Sequence, residues 1–154
     1  MERIVASPVG LLKIEGDDRS ITGIWLNAKG VVTPGRASGA LAELEHQLDA
    51  YFSGALKQFD LPLAPKGTTF QIDVWTALQA IPYGATCSYS DIAKKIKRAD
   101  AVRAVGAANG QNPIPIVIPC HRVIGANGSL TGFGGGLPMK KWLLAHESGS
   151  HQLF

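Results

Sequence analysis

Cys120, His121 and Arg122 stand next to one another at the end of an apolar run that begins at Asn112. A cysteine attacks as its thiolate, and basic neighbours lower the pKa of the thiol. A histidine beside it can take the thiol proton as a general base. These residues predict a cysteine nucleophile. The alternative is that Cys120 is a small buried hydrophobic residue, a common fate of free cysteines.

Three prolines lie within residues 112–119. Proline fixes φ and biases the preceding residue towards extended backbone, which predicts a stiff, extended segment leading into Cys120. Adjacent side chains on an extended chain point apart, so we expect Cys120 and His121 to communicate through a bridging water. Glu147, near the end of the last predicted helix, is a candidate carboxylate partner for His121. The alternative for a lone glutamate is a solvated side chain.

Composition places the chain among soluble globular proteins. It has 154 residues, 45% of them hydrophobic and 18% charged, which suits one good core or two small domains. No apolar run reaches the ~20 residues that a membrane-spanning helix needs, and no signal peptide precedes the first strand. We therefore expect a cytoplasmic protein in which Cys87 and Cys120 are free thiols.

The net charge of +3 is distributed unevenly along the chain. Residues 1–66 contain seven Lys or Arg and eight Asp or Glu, whereas residues 67–154 contain eight and four. The basic second half favours a polyanionic partner such as DNA. The alternative is an ordinary solvated surface.

Residues 1–66 are predicted to form a small α/β domain. Two β-rich runs, 4–18 and 20–27, indicate two strands joined by a turn. Leucines at helical spacing predict an amphipathic helix over residues 40–54. A segment rich in proline and glycine, residues 59–67, then predicts a linker, and we place the domain boundary after residue 66.

Residues 67–154 are predicted to form a mostly helical domain. Its first helix is expected to be capped by Thr68 or Thr69, and two shorter helices by Ser90 and Asp100. The close spacing of the two shorter helices predicts a helix-turn-helix. A final helix, MKKWLLAHE, is expected to bury Trp142, Leu143 and Leu144.

The second helix of this helix-turn-helix, residues 101–109, consists largely of alanine and glycine, with Arg103 as its long polar side chain. Such a helix can read little sequence in a major groove, but its backbone can approach a narrow or shallow groove closely. We expect sequence-independent DNA binding in which Arg103 enters the base stack. The alternative is a buried, tightly packed helix whose arginine pairs at the surface.

A glycine-rich loop, SLTGFGGGLP, occupies residues 129–138. Clustered glycines let the backbone approach a flat ligand or another chain closely. The run matches neither a dinucleotide fingerprint nor a phosphate-binding P-loop, so we expect no nucleotide cofactor.

The run IPCHRVIG resembles the O6-alkylguanine-DNA alkyltransferase family, as do VRAVG and NPIP before it and TGFGGGL and KKWLLAHE after it. The resemblance is close from residue 67 to about 148. For residues 1–66 it extends only to length and general pattern. It implies a ribonuclease H-like arrangement of the first domain. It also implies irreversible, single-turnover transfer of an alkyl group from O6 of a flipped guanine, and also from O4 of thymine, to Cys120.

The resemblance assigns roles around the nucleophile. His121, bridged to Cys120 by water and held by Glu147, would be the general base. Asn112 would tie the turn before the cysteine to the helix-turn-helix. Arg103 would fill the space left by the extruded nucleotide, with its helix in the minor groove.

Besides Arg103, which would contact the DNA, the resemblance implies a base pocket formed by Tyr89, Val123, Phe133, Gly134 and Lys140. Tyr89 would donate a hydrogen bond to the base, and Lys140 would support the same pocket. The main-chain carbonyl of Val123, together with that of the cysteine, would accept from the guanine amino group. Phe133 and Gly134 stand where relatives commonly have tyrosine and serine, so an aromatic wall is kept and a hydroxyl is lost.

The partner implied is double-stranded DNA bearing O6-alkylguanine, bound with little sequence specificity and without a cofactor, and the protein is expected to be a monomer in the absence of DNA. Some relatives bind zinc in the first domain, but residues 1–66 contain His46 and no cysteine, so we expect no metal. Two other functions stay open. A lesion binder without chemistry would lack the nucleophile, which Cys120 argues against. A thiol hydrolase or redox enzyme would act on a small substrate, and no CxxC motif supports redox work.

Overall fold

The structure is a computed structural model that describes residues 1–149, and the chain divides into two compact units. The first unit is Met1–Lys66 and the second begins at Gly67. The first contains a sheet and a helix and the second is mostly helical, which confirms the α/β class. Among residues 1–149, no helix is both long and apolar enough to cross a lipid bilayer.

The first unit is built on an antiparallel sheet of three strands in the order β1, β2, β3. They are Glu2–Val5, Leu12–Gly16 and Ile21–Trp25. The prediction of two strands was wrong because the first β-rich run turns back on itself. The Gly10 amide donates to the Ser7 carbonyl at 3.1 Å, and Gly10 has a φ of 107°, which glycine adopts without strain.

Helix α1, Gly39–Phe52, lies against this sheet. The predicted leucine stripe is buried, as are strand residues such as Leu12 and Ile14, so the unit has its own apolar core. His46 is exposed on the helix, as expected for a solvated histidine.

The second unit begins with α2, Thr69–Gln79. Thr68 and Gln71 form a reciprocal capping box at its start, which settles the predicted choice of cap in favour of Thr68. Buried positions of the helix, among them Val74, Trp75 and Leu78, form the predicted apolar stripe.

Helices α3, Tyr89–Lys95, and α4, Val102–Gly110, pack against each other and against α2. Both predicted caps were wrong. Ser88 caps α3 by accepting from the Asp91 amide at 3.1 Å, so the helix starts one residue before Ser90. Helix α4 begins after Ala101 and has no side-chain cap.

The segment before the cysteine is a compact turn, so the prediction of an extended segment was wrong. The Ile118 amide donates to the Ile114 carbonyl at 2.9 Å, and Ile116 has a φ of 75°. The φ that proline imposes is compatible with turns as well as with extended chain, and burial of the three isoleucines selects the turn. A single turn of 3-10 helix, Cys120–Arg122, follows it.

Strand β5, Val123–Ile124, continues from this turn and pairs in parallel with β4, Cys87–Ser88. The last helix, α5, is Leu137–Ser148. Of its three residues expected to be buried, only Leu143 is, whereas Trp142 and Leu144 are half-buried.

Candidate active site

Cys120 opens the 3-10 turn and is only 6% exposed. Burial raises the pKa of its thiol from 9.0 to about 11, although a hydrogen bond from Asn112 and the charge of Lys140 act in the opposite direction. The expectation that basic neighbours lower this pKa was therefore wrong. The thiol is protonated at neutral pH, so it becomes a nucleophile only if a base takes its proton.

His121 is completely buried, and its Nε2 lies 2.7 Å from Oε2 of Glu147. The predicted contact between these side chains is confirmed. A carboxylate accepts hydrogen bonds, so it places the imidazole proton on Nε2 and leaves Nδ1 as an acceptor. Burial lowers the pKa of His121, with the hydrogen bond to Glu147 opposing it, which favours the neutral imidazole. A neutral imidazole with a free acceptor is a suitable general base.

Arg122 faces Glu147, not the thiol. Its Nε donates to Glu147 Oε1 at 2.7 Å and its Nη2 to Oε2 at 3.0 Å, while Nη1 donates to the Ile81 carbonyl at 2.7 Å. This fork holds both carboxylate oxygens and stabilises their negative charge. Sequence reasoning missed the pair. The available signal was a charged residue within a buried segment, which needs a buried partner.

Asn112 fixes the turn that carries the cysteine. Its Nδ2 donates to the Ile118 carbonyl at 2.8 Å, and its Oδ1 accepts from the Ile114 amide at 3.0 Å. These bonds hold the turn to a residue two positions after the end of α4, and the tie to the helix-turn-helix that the resemblance implies stays a prediction.

Lys140 is fully buried in α5 and holds two main-chain carbonyls. Its Nζ donates to Val123 at 2.6 Å and to Thr131 at 3.3 Å. Burial lowers the pKa of Lys140, with a charge on Cys120 acting in the opposite direction. The lysine therefore fastens the glycine-rich loop to the strand that follows the nucleophile.

Thr131 also shares a short hydrogen bond with the hydroxyl of Tyr89. Thr131 thus connects Tyr89 and Lys140, two residues assigned to the base pocket, and sequence reasoning did not single it out. The signal was a hydroxyl-bearing residue inside a loop otherwise rich in glycine.

The remaining predicted residues lie at the surface or in the loop. Phe133 is half-buried and Gly134 is exposed in the glycine-rich loop. Arg103 is exposed on α4, beside the exposed Ala104 and Ala107. One side of α4 packs against α2 and α3, and the side that carries Arg103 is exposed.

No three His, Cys, Asp or Glu side chains within residues 1–149 come together in an arrangement that could hold a metal ion. Of the two cysteines, Cys87 is half-buried and Cys120 buried, and both are free thiols.

Comparison with known proteins covers both units. Residues 69–149 match the family described as 6-O-methylguanine DNA methyltransferase, DNA binding domain. Residues 1–65 match the ribonuclease-like domain of the same family.

Two similar proteins are called methylated-DNA–protein-cysteine methyltransferase. That of Mycolicibacterium paratuberculosis is 51% identical, over 94% of this chain and 90% of the relative. That of Methanosarcina acetivorans is 47% identical, over 94% and 96%. Among solved structures, Mycobacterium tuberculosis OGT in complex with DNA superposes with a TM-score of 0.86 at 46% identity, covering 96% of this chain and 92% of that one.

Proposed function

This chain belongs to the 6-O-methylguanine DNA methyltransferase family, and we propose that it repairs DNA by transferring the alkyl group from O6 of guanine to Cys120. One observation carries the proposal: the buried thiol of Cys120 is followed directly by His121, whose Nε2 is hydrogen-bonded to the buried carboxylate of Glu147. The names of the relatives support the same reaction.

The chemistry follows from the protonation states of the site. Cys120 rests as a thiol because burial raises its pKa to about 11. As the reaction begins, the thiol proton passes to Nδ1 of His121, and the resulting imidazolium lies against the Glu147 carboxylate at 2.7 Å. The charge of Lys140 stabilises the thiolate.

The transfer itself is a displacement at the alkyl carbon. The sulfur electron pair forms the new S–C bond while the bond from carbon to O6 breaks, and the electrons of that bond stay on the guanine. The guanine anion then takes a proton from water, and the imidazolium of His121 returns its proton to solvent, so the proton lost by the thiol balances the one gained by guanine. The product is a thioether, from which neither water nor the neighbouring imidazole can readily displace carbon. Each chain therefore acts once.

The depth of the thiol requires the base to leave the duplex. A side chain that is 6% exposed cannot reach an atom inside a stacked helix, so the damaged nucleotide enters the pocket by rotating out of the stack. In this proposal Tyr89 and Lys140 line that pocket, and their common contact with Thr131 supports placing them together. In this position the tyrosine hydroxyl donates to the base as negative charge develops on it. The half-buried Phe133 supplies an apolar wall, and Gly134 beside it leaves room for the ligand.

The exposed side of α4 is the DNA-binding surface in this proposal. Ala104 and Ala107 leave the helix backbone open to close approach in a minor groove, and Arg103 occupies the place of the extruded nucleotide. Few long side chains are available to read bases, which agrees with binding that depends little on sequence. O4-alkylthymine presents the same type of alkyl–oxygen bond and is a second substrate of the site.

Quantifying restored guanine tests this function. With an excess of duplex DNA containing one O6-methylguanine, we expect repair to reach a plateau at one guanine per protein chain. Binding without any restored guanine would support a lesion binder instead. Continued turnover of a small thioester without DNA would support the thiol hydrolase.

A further inference from the structure

Two buried acceptor atoms, on residues that adjoin or contact Cys120, have no hydrogen-bond partner within residues 1–149. Among the buried side-chain nitrogen and oxygen atoms of residues 1–149, Nδ1 of His121 and Oδ1 of Asn109 alone are unsatisfied. Buried polar atoms are nearly always satisfied, because leaving one unpaired costs about 1–3 kcal/mol. Each atom therefore needs a donor from outside the protein side chains, and the contact of both residues with Cys120 allows one donor to serve both.

Both atoms belong to residues that touch the nucleophile. His121 follows Cys120 directly, and Nδ2 of Asn109 donates to the Cys120 main-chain carbonyl at 3.4 Å. Asn109 is 4% exposed, on the inner side of α4. Its amide is thereby oriented by the residue whose thiol reacts.

The count of hydrogens limits what the donor can be. The thiol of Cys120 has one hydrogen and can satisfy one acceptor, whereas two acceptors need a donor with two. A water molecule supplies two hydrogens and still accepts one from the thiol. Three such bonds are the usual number for a buried water.

We infer that Asn109 is a positioning residue that holds, together with His121, a single buried water against the thiol of Cys120. The water donates to Nδ1 of His121 and to Oδ1 of Asn109. Its role in alkyl transfer rests on the function proposed above, but the hydrogen-bond arrangement does not.

In the reaction this water relays one proton. The S–H bond of Cys120 breaks as an O–H bond forms on the water, and an O–H bond of the same water breaks as Nδ1 of His121 gains its proton. The water is regenerated. Asn109 keeps the other hydrogen engaged throughout, so the transferable hydrogen points at the imidazole.

Methylation of Cys120 by iodomethane tests this arrangement without DNA, since a sulfur–methyl bond forms and iodide leaves. Asn109→Leu removes the amide with little change in size. Val105→Ala, a buried position on the same helix, is the matched control for lost packing. Peptide mass spectrometry separates Cys120 from Cys87.

At pH 7.5 we expect Asn109→Leu to slow methylation of Cys120 roughly tenfold, and Val105→Ala to change it less than about twofold. The difference between the methylation rates of the two variants should narrow as the pH approaches about 11, because the thiol then ionises without a relay. Equal rates in the two variants, or a deficit independent of pH, overturn the inference.

A crystal structure of the unaltered protein gives a second test that does not depend on a variant folding. We expect one ordered water within hydrogen-bond distance of both acceptors. A water on His121 alone overturns the inference. If the iodomethane results hold while no methyl leaves DNA, the proposed function fails and the relay stands.

Discussion

Arg122 and Glu147 form a bidentate ion pair inside the second unit, with Nε–Oε1 at 2.7 Å and Nη2–Oε2 at 3.0 Å. The side chains are 7% and 1% exposed, so solvent does little to screen the pair. Since Oε2 also holds His121, one carboxylate both neutralises the guanidinium and orients the imidazole. The Glu147 carboxylate therefore links the stability of the fold to the protonation of His121.

Replacing Glu147 with glutamine should destabilise the protein strongly. The change leaves the buried Arg122 without an opposite charge, and breaking a buried pair in this way costs about 3–5 kcal/mol. Chemical denaturation measures the loss as a change in the free energy of unfolding. Glu2→Gln, which removes an exposed partner of Lys13 at 3.7 Å, should change that free energy by less than about 1 kcal/mol. Similar losses in the two variants would contradict the account.

Raising the pH should destabilise the wild type relative to Cys120→Ser. Burial raises the pKa of Cys120 from 9.0 to about 11, so between these values the folded thiol keeps a proton that the unfolded chain has lost. The contribution of Cys120 to the free energy of unfolding is complete below pH 9. It declines as the pH rises towards 11, by an amount on the order of 2 kcal/mol. Chemical denaturation of the wild type and Cys120→Ser from pH 8 to 11 measures this decline as a difference in the free energy of unfolding. Lys140 and Cys87 are present in both proteins, so their titration cancels in the comparison. Parallel curves of unfolding free energy against pH for the two proteins would contradict a buried Cys120 thiol.

Thr131→Val should slow alkyl transfer while leaving the fold intact. Valine keeps the shape of threonine and the carbonyl that accepts from Lys140, but it removes the hydroxyl that binds Tyr89. A misplaced tyrosine hydroxyl stabilises less charge on the leaving base, and we expect roughly a tenfold lower single-turnover rate on methylated duplex DNA. Thr131→Ser keeps the hydroxyl and should react at nearly the wild-type rate. Equal rates in the serine and valine variants would show that the hydrogen bond between Thr131 and Tyr89 has no role in alkyl transfer.

Arg103→Ala should impair repair of duplex DNA far more than reaction with free O6-methylguanine. The arginine is exposed on α4 and, in the proposed complex, would replace the extruded nucleotide in the stack, so its loss should affect only a substrate that must be flipped. We expect the rate on duplex DNA to fall on the order of tenfold or more. Lys66→Ala, which removes an exposed cation of the first unit, is the charge control. Equal losses on both substrates would exclude intercalation.

Local patterns were enough to locate the helices and the contact between His121 and Glu147, and to single out Cys120 as the candidate nucleophile. Each depends on residues whose spacing or type is unusual by itself. The leucine stripe of α1 has only one favourable placement, against a sheet. A cysteine followed by histidine stands out within an apolar run.

Properties that depend on packing could not be predicted in the same way. Basic residues beside Cys120 in sequence indicated a lowered pKa, but the sign is set by burial, and Arg122 turns towards Glu147. The turn before the cysteine depends on three isoleucines being buried together, and its prolines permit either conformation. The link from Tyr89 through Thr131 to Lys140 joins parts of the chain that are far apart in sequence.

The most direct test is the mass of the protein after reaction with duplex DNA that carries one O6-methylguanine. We predict a gain of one methyl group per chain, located on Cys120 by peptide mapping, and no gain in Cys120→Ser. An unchanged mass, or a methyl group on any other residue, would contradict alkyl transfer to the buried thiol.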